Sequence, residues 1–144
     1  MACMVQEALD RLAAALDDLS ITLADGTVVE ARGPRRGVGG NIPETPFLEV
    51  GAAGVGIDEA GSACLVQLRV NVAVNVRFGG DSDRENEILN RLFCAVKASL
   101  DADRTLGGLV EVARVAGADV FLVTIQGAEF WSMMIQTEVR YREC

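Results

Sequence analysis

Residues Cys64–Phe78 read CLVQLRVNVAVNVRF. The even positions, from Cys64 through Val70 and Val74 to Phe78, are all apolar. The odd positions, among them Gln67, Arg69, Asn71, Asn75 and Arg77, are mostly polar. An unbroken period of two in β-branched residues predicts one long strand with a dry face and a wetter face. At about 3.3 Å per residue it spans roughly 50 Å. A chain of this length has a radius of gyration near ~14–15 Å, so a diameter of roughly 40 Å. The strand is expected to outrun its own domain. Either it bends, or its end projects and buries its apolar face on something else.

Composition bounds the rest. The 144 residues predict a single domain, 1–144, with a real core. Half of the residues are apolar and 24% are charged, which is a globular balance. The net charge of −8 argues against a general nucleic-acid-binding surface, which needs Lys and Arg clusters to neutralise phosphate. No apolar run is long enough to cross a bilayer, and the N-terminus lacks the pattern of a signal peptide. Cys3, Cys64, Cys94 and Cys144 form no C-x-x-C pair. Without an export signal they are expected to be reduced thiols, two of them on apolar faces.

Upstream of the long strand, Val5, Leu9, Leu12, Leu16 and Leu19 recur at helical steps and predict an amphipathic helix over about residues 4–18. Its polar face is not basic enough for a membrane surface, so it is expected to pack on a sheet. Ile21–Leu23 and Thr27–Ala31 flank Asp25-Gly26 and predict a short hairpin. Arg32–Pro46, RGPRRGVGGNIPETP, holds all three prolines and excludes helix or central strand. A loop of that length is usually functional or mobile. Phe47–Gly56 resumes an extended pattern, and residues 57–61 read as the turn into the long strand.

Downstream, Gly79-Gly80 ends the strand. Ser82 with Glu85 fits a capping box, opening a helix to about Leu100. That helix covers only about 25 Å, half of the strand. Leu109–Val115 and Val120–Ile125 read as two further strands, separated by residues 116–119. Phe130–Arg142 alternates again, with Trp131, Met133, Ile135, Thr137, Val139 and Tyr141 on one side. The elements together predict an α+β fold, two helices on one face of a mainly antiparallel twisted sheet with a long β-hairpin.

The chain contains no histidine. That removes Ser–His and Cys–His nucleophilic pairs and the commonest zinc ligand. The glycines at 37–40 lack the Lys-Ser/Thr of a phosphate loop, and Gly54-Val55-Gly56 lacks the third glycine of a dinucleotide turn. Asp81, Asp83 and Glu85 lack the glycine and distal Glu of a calcium loop, so helix capping accounts for them. Nothing pairs Asp119, Glu129 and Glu138 for acid–base work. No catalytic, cofactor-binding or metal residue is expected.

The stretch Asp101–Val110, DADRTLGGLV, followed by a strand and a C-terminal Glu138-Val139-Arg140-Tyr141 strand, resembles the tail terminator (tail completion) proteins of long-tailed bacteriophages and phage-like particles. Leu106 and Leu109 are expected to anchor the core while Gly107-Gly108 turn the chain from helix into strand. The N-terminal helix and the long strand before Gly79-Gly80 are similar too. The resemblance implies a non-enzymatic ring, usually a hexamer, that caps the tail tube, stops its polymerisation and presents a docking surface to the head connector. It implies tube and connector proteins as partners, a virion tail location after assembly in the bacterial cytoplasm, and no cofactor or membrane. DNA would pass through the lumen without sequence-specific binding, and the −8 charge suggests an acidic lumen along which it slides.

The interface candidates are Arg35, Arg36 and Asn41 in the glycine loop, for the tube or connector. Arg69, Asn71, Asn75 and Arg77 on the wetter strand face are candidates for subunit contacts or the lumen. Two alternatives remain: another tail ring component, such as a head–tail joining or tube protein, and a small cytoplasmic α+β ligand-binding or enzyme subunit in which Phe130, Trp131 and Met133 line a pocket.

Overall fold

The long strand lies at the centre of the molecule rather than at its margin. In the computed structural model, which describes residues 4–36, 45–60 and 63–143, the chain runs through helix α1 (Val5–Ala15), strands β1 (Ser20–Thr22), β2 (Val28–Glu30), β3 (Arg32–Arg36), β4 (Phe47–Ala60) and β5 (Ala63–Arg77), helix α2 (Ser82–Ala102), and strands β6 (Val112–Ile125) and β7 (Ala128–Arg142). The strands β3-β4-β5-β7-β6, in that order, form one sheet, while β1 and β2 make a separate hairpin. All pairings in the large sheet are antiparallel except β3 with β4. The fold is α+β, with a mixed sheet.

Two long hairpins build the sheet. The β4–β5 hairpin pairs from Phe47↔Asn75 to Ala60↔Ala63, and the β6–β7 hairpin from Val112↔Arg140 to Ile125↔Ala128. They join through β5 and β7, from Leu65↔Arg142 to Arg77↔Phe130, so their tips point in opposite directions. The expected turn at residues 57–61 is instead strand as far as Ala60. The two strands expected between Leu109 and Ile125 are one, with a register shift between Val115 and Gly117 that absorbs Ala116. Part of the proline-rich segment, Arg32–Arg36, is strand despite Pro34, because it lies at a sheet edge.

Alternation then sorts the faces. The even residues Val66 to Val76 of β5 are at most 6% exposed and join Met133, Ile135, Val139 and Tyr141 of β7 in the core. Against them pack Leu12 and Leu16 from α1 and its end, and Leu89, Leu92, Val96 and Leu100 from α2. The apolar face of β5 is therefore buried within one chain, contrary to expectation. The length argument counted one helix. In the structure α2 runs 21 residues, or about 32 Å, and α1 and the turn residues Leu106 and Val110 share the same face.

Helix α2 is capped by Asp81, one residue before the expected cap Ser82. The Asp81 carboxylate accepts the Arg84 N–H, and Glu85 reaches back to the Asp81 N–H at 2.9 Å. Glu85 is buried and also accepts from Gly79 N–H and from Trp131 Nε1 at 3.1 Å. One carboxylate thus ties the helix start to β7. After α2, Gly107 and Gly108 adopt φ of 72° and 88° and turn the chain, as expected of that motif. Leu106 is buried and Leu109 half-buried.

The β1–β2 hairpin buries Ile21 and Leu23 in the core and adds polar contacts to α2. Glu87 accepts the Ala24 N–H at 2.7 Å and pairs with Arg91, and Arg84 lies 3.7 Å from Asp25. The thiols divide. Cys94 is free and exposed, whereas Cys64 is disulfide-bonded, which corrects the expectation of reduced cysteines.

Candidate self-assembly edges

The sheet has one face covered by helices and one without. On the helix-free face β5 presents Arg69, Asn71, Ala73, Asn75 and Arg77, in register with Glu49 and Gly51 on β4 and with Ser132 to Arg140 on β7. Phe47 and Phe130 meet on this side edge to face, with ring centroids 5.7 Å apart. Asn75 is 1% exposed and donates from Nδ2 to Glu49 Oε1 at 3.0 Å. It therefore serves the sheet and offers no exposed surface for a subunit contact. Asn71 is half-buried and lines a depression of about 180 Å³ with Glu49, Gly51, Ala73 and Met134. Arg77 is exposed, and its backbone N–H donates to Thr45 Oγ1.

Arg69 is exposed and folds across β4. A Cβ at Gly54 would lie 2.5 Å from Arg69 Nη2, so this glycine is what lets the guanidinium lie flat on the strand. Arg69 enters no ion pair among the described residues. By contrast Arg114 pairs with Glu138 at 2.8 Å and Arg142 with Glu111 at 2.6 Å. Asp119 accepts from Gln136 Nε2 at 3.0 Å, so Asp119 and Glu138 have separate partners and form no acid–base pair. Of the glycine-loop candidates, Arg35 and Arg36 have backbone in β3, paired with Glu49 and Val50, but their side chains and all of Asn41 lie outside the described residues.

The sequence reading missed the exposed edges. Among the described residues strand β6 pairs only with β7, and beyond Ala113, whose N–H donates to the Arg104 carbonyl, its other edge is open. There Val120, Phe121 and Leu122 are 48%, 51% and 51% exposed. On the opposite side of the sheet, β3 pairs with β4 only as far as Val50. Among the described residues nothing pairs with the outer edge of β4 from Gly51 to Ala60. That edge exposes Val55 (49%) and Ile57 (64%) on the helix side. The two apolar patches sit at diagonally opposite corners, because Val55 lies level with Leu68 and Val139, and Val120 with Met133 and Val74. The signal was present in the sequence. Val120-Phe121-Leu122-Val123 does not alternate, although its partner strand does, and the apolar Ile57, read as the start of a turn, continues the strand that carries Val55.

An open, long, apolar strand edge templates pairing with another chain, and soluble proteins ordinarily blunt such edges with Lys, Pro or a covering segment. Neither Lys nor Pro occurs in Gly51–Ala60 or in Val112–Ile125. The pocket of the ligand-binding alternative is not formed by its named residues. Phe130 meets Phe47 edge to face, Met133 lies in the core, and Trp131 packs beside Phe78 and donates to Glu85. Among the described residues no group of three His, Cys, Asp or Glu side chains is placed to hold a metal ion, and no helix is long and apolar enough to cross a membrane. The chain matches no protein-family model and no curated protein.

Proposed function

We propose that this protein is a ring-forming structural component of a phage-like tail, and that it acts as the terminator that caps the tube, stops its growth and receives the head connector. The observation that carries the self-assembling part is the pair of open apolar edges on opposite sides of one sheet. Edges on opposite sides make a contact heterologous, so each copy engages two neighbours, and a suitable rotation closes the series into a ring. The terminator role rests on the resemblance around Asp101–Val110 and on the order of elements.

The surplus strand length has moved in this reading. It lies in β4 and β6, at the edges, and not in the central β5. The acidic-lumen idea also changes. By register the helix-free face carries Arg69, Arg77, Arg114, Arg140 and Arg142 against Glu49, Asp58, Asp119 and Glu138. A ring that turns this face inward would offer DNA a nearly balanced lining, while the acidic surplus lies on the helices and loops.

Sedimentation of the purified protein over a wide concentration range tests the self-assembling part. A single closed oligomer is expected. A chain that remains monomeric both alone and in the presence of tail tubes contradicts it.

A further inference from the structure

Resting on the ring reading, we propose which strands join and in what register: β6 of one copy adds antiparallel to the open edge of β4 in the next, with Val120 opposite Val55 and Phe121 opposite Gly54. Strand direction permits it. β4 and β7 run one way and β5 and β6 the other, so a neighbour placed in the same orientation presents β6 antiparallel to β4, with its helices on the same side.

The faces then match residue by residue. On the helix side, Val120 meets Val55 and Ala118 meets Ile57, so both exposed β4 side chains are covered. The β4 register shift between Ala52 and Gly54 leaves Ala53 as an extra residue. Counting past it, Leu122 lies over Ala52 on the helix side, and Val123 over Gly51 on the other, beside the 180 Å³ depression. Alternation survives only because the bulge takes up that residue.

On the helix-free side Phe121 lies on the guanidinium that Arg69 holds flat over Gly54. An aromatic ring on an unpaired guanidinium is a cation–π contact, and a ring laid over a strand glycine fills the gap that the missing side chain leaves. Asp119 of the same strand falls opposite Gly56, one step along the face from Arg69. The arginine without an ion pair thus meets a carboxylate from the neighbour, and apolar fit and charge agree on one register. The β3 strand sets the limit. It occupies the β4 edge up to Val50, so in this register β6 follows β4 only as far as Val123 over Gly51, and Thr124, Ile125 and the tip at Gln126-Gly127 leave the β4 edge there.

A different pairing, β6 with β6 about a two-fold axis, would cover Phe121 with its own copy. It would leave Val55, Ile57 and Arg69 without partners.

Disulfide trapping separates the two. In a background with Cys94 and whichever of Cys3 and Cys144 is not paired with Cys64 replaced by Ser, the double variant Val55→Cys/Val120→Cys should form, on mild oxidation, a ladder of linked chains ending at the size of the ring, with each single variant unlinked. Phe121→Ala should weaken association at least about tenfold, while Phe121→Trp retains it. Linking by Phe121→Cys alone, or an unlinked double variant of a chain that still assembles, overturns this register and leaves the ring standing. If the wild-type chain does not assemble at all, the ring reading fails and the register with it. Circular dichroism and thermal melting of each variant show that it is folded.

Discussion

Glu85 is the residue on which most local order converges. A buried carboxylate is tolerable only when its oxygens are satisfied, and here three N–H groups from Gly79, Asp81 and Trp131 satisfy them. Glu85→Ala should lower stability by roughly 2–4 kcal/mol, because it strands those donors and opens a gap beneath Trp131. Denaturant unfolding followed by the fluorescence of Trp131, the one tryptophan of the chain, measures this directly. Thr137 is the opposite case. Its hydroxyl is buried on the core face, at 1% exposure, and has no hydrogen-bond partner. Thr137→Val should raise stability by about 1–2 kcal/mol, which for a domain of this size is a rise of several degrees in Tm. Gly107 carries the turn out of α2. At φ of 72°, and with Arg11 Nη1 3.0 Å from the place of a Cβ, Gly107→Ala should cost about 1–2 kcal/mol, read as a lower Tm. The role of Gly107 was legible from the sequence. That of Glu85 was only half legible, since capping was foreseen and Trp131 was not.

At the scale of elements, the β1–β2 hairpin, seated by Ile21 and Leu23, is held further by two carboxylates, Glu87 on α2 and Asp25 in its own turn. The Ala24 N–H, and then Arg91, hold the Glu87 carboxyl below its ordinary value of 4.5, and Thr27, with a smaller contribution from Arg84, holds Asp25 below 3.8. A group whose folded pKa is depressed stabilises the fold fully above its unfolded value and ceases to do so as pH falls through the folded one. Hairpin docking should therefore be constant from neutral pH down to about 4.5 and loosen below it. Amide exchange at Ala24, compared with the core of β5, checks this, and equal protection loss in both would contradict it. The alternating strands β5 and β7 were readable because each buries one face, and a period of two records that. The β6 strand was split in the reading because Ala116-Gly117 looks like a turn, whereas it is a bulge in one strand. Strand β3 was unreadable because its pairing partner lies outside its own sequence pattern, and Pro34 argued for loop.

For the whole molecule, the length of β5 was read correctly but its meaning was not. Sequence gives the span of a strand and cannot say which strands flank it. Flanked by two others nearly as long, β5 has no open edge and no uncovered apolar face, and the unfinished surfaces pass outward to β4 and β6. Of the candidate contact residues, Arg69 reaches from β5 across Gly54 of the edge strand β4, and Asn75 is withdrawn into the sheet. Charging the β6 edge should separate assembly from folding. Val120→Lys/Leu122→Lys changes side chains about half exposed in the single chain, so Tm should shift little while association is lost, as sedimentation would show. The central claim is that this chain caps a tail tube as a closed ring. Electron microscopy of tail-bearing particles, with the chain marked by a small fused tag, tests it most directly. The account predicts a single ring of this protein at the head-proximal end of the tube, and tubes of uncontrolled length when the protein is removed. Particles that lack it, or tubes of normal length and normal head attachment without it, would contradict that claim.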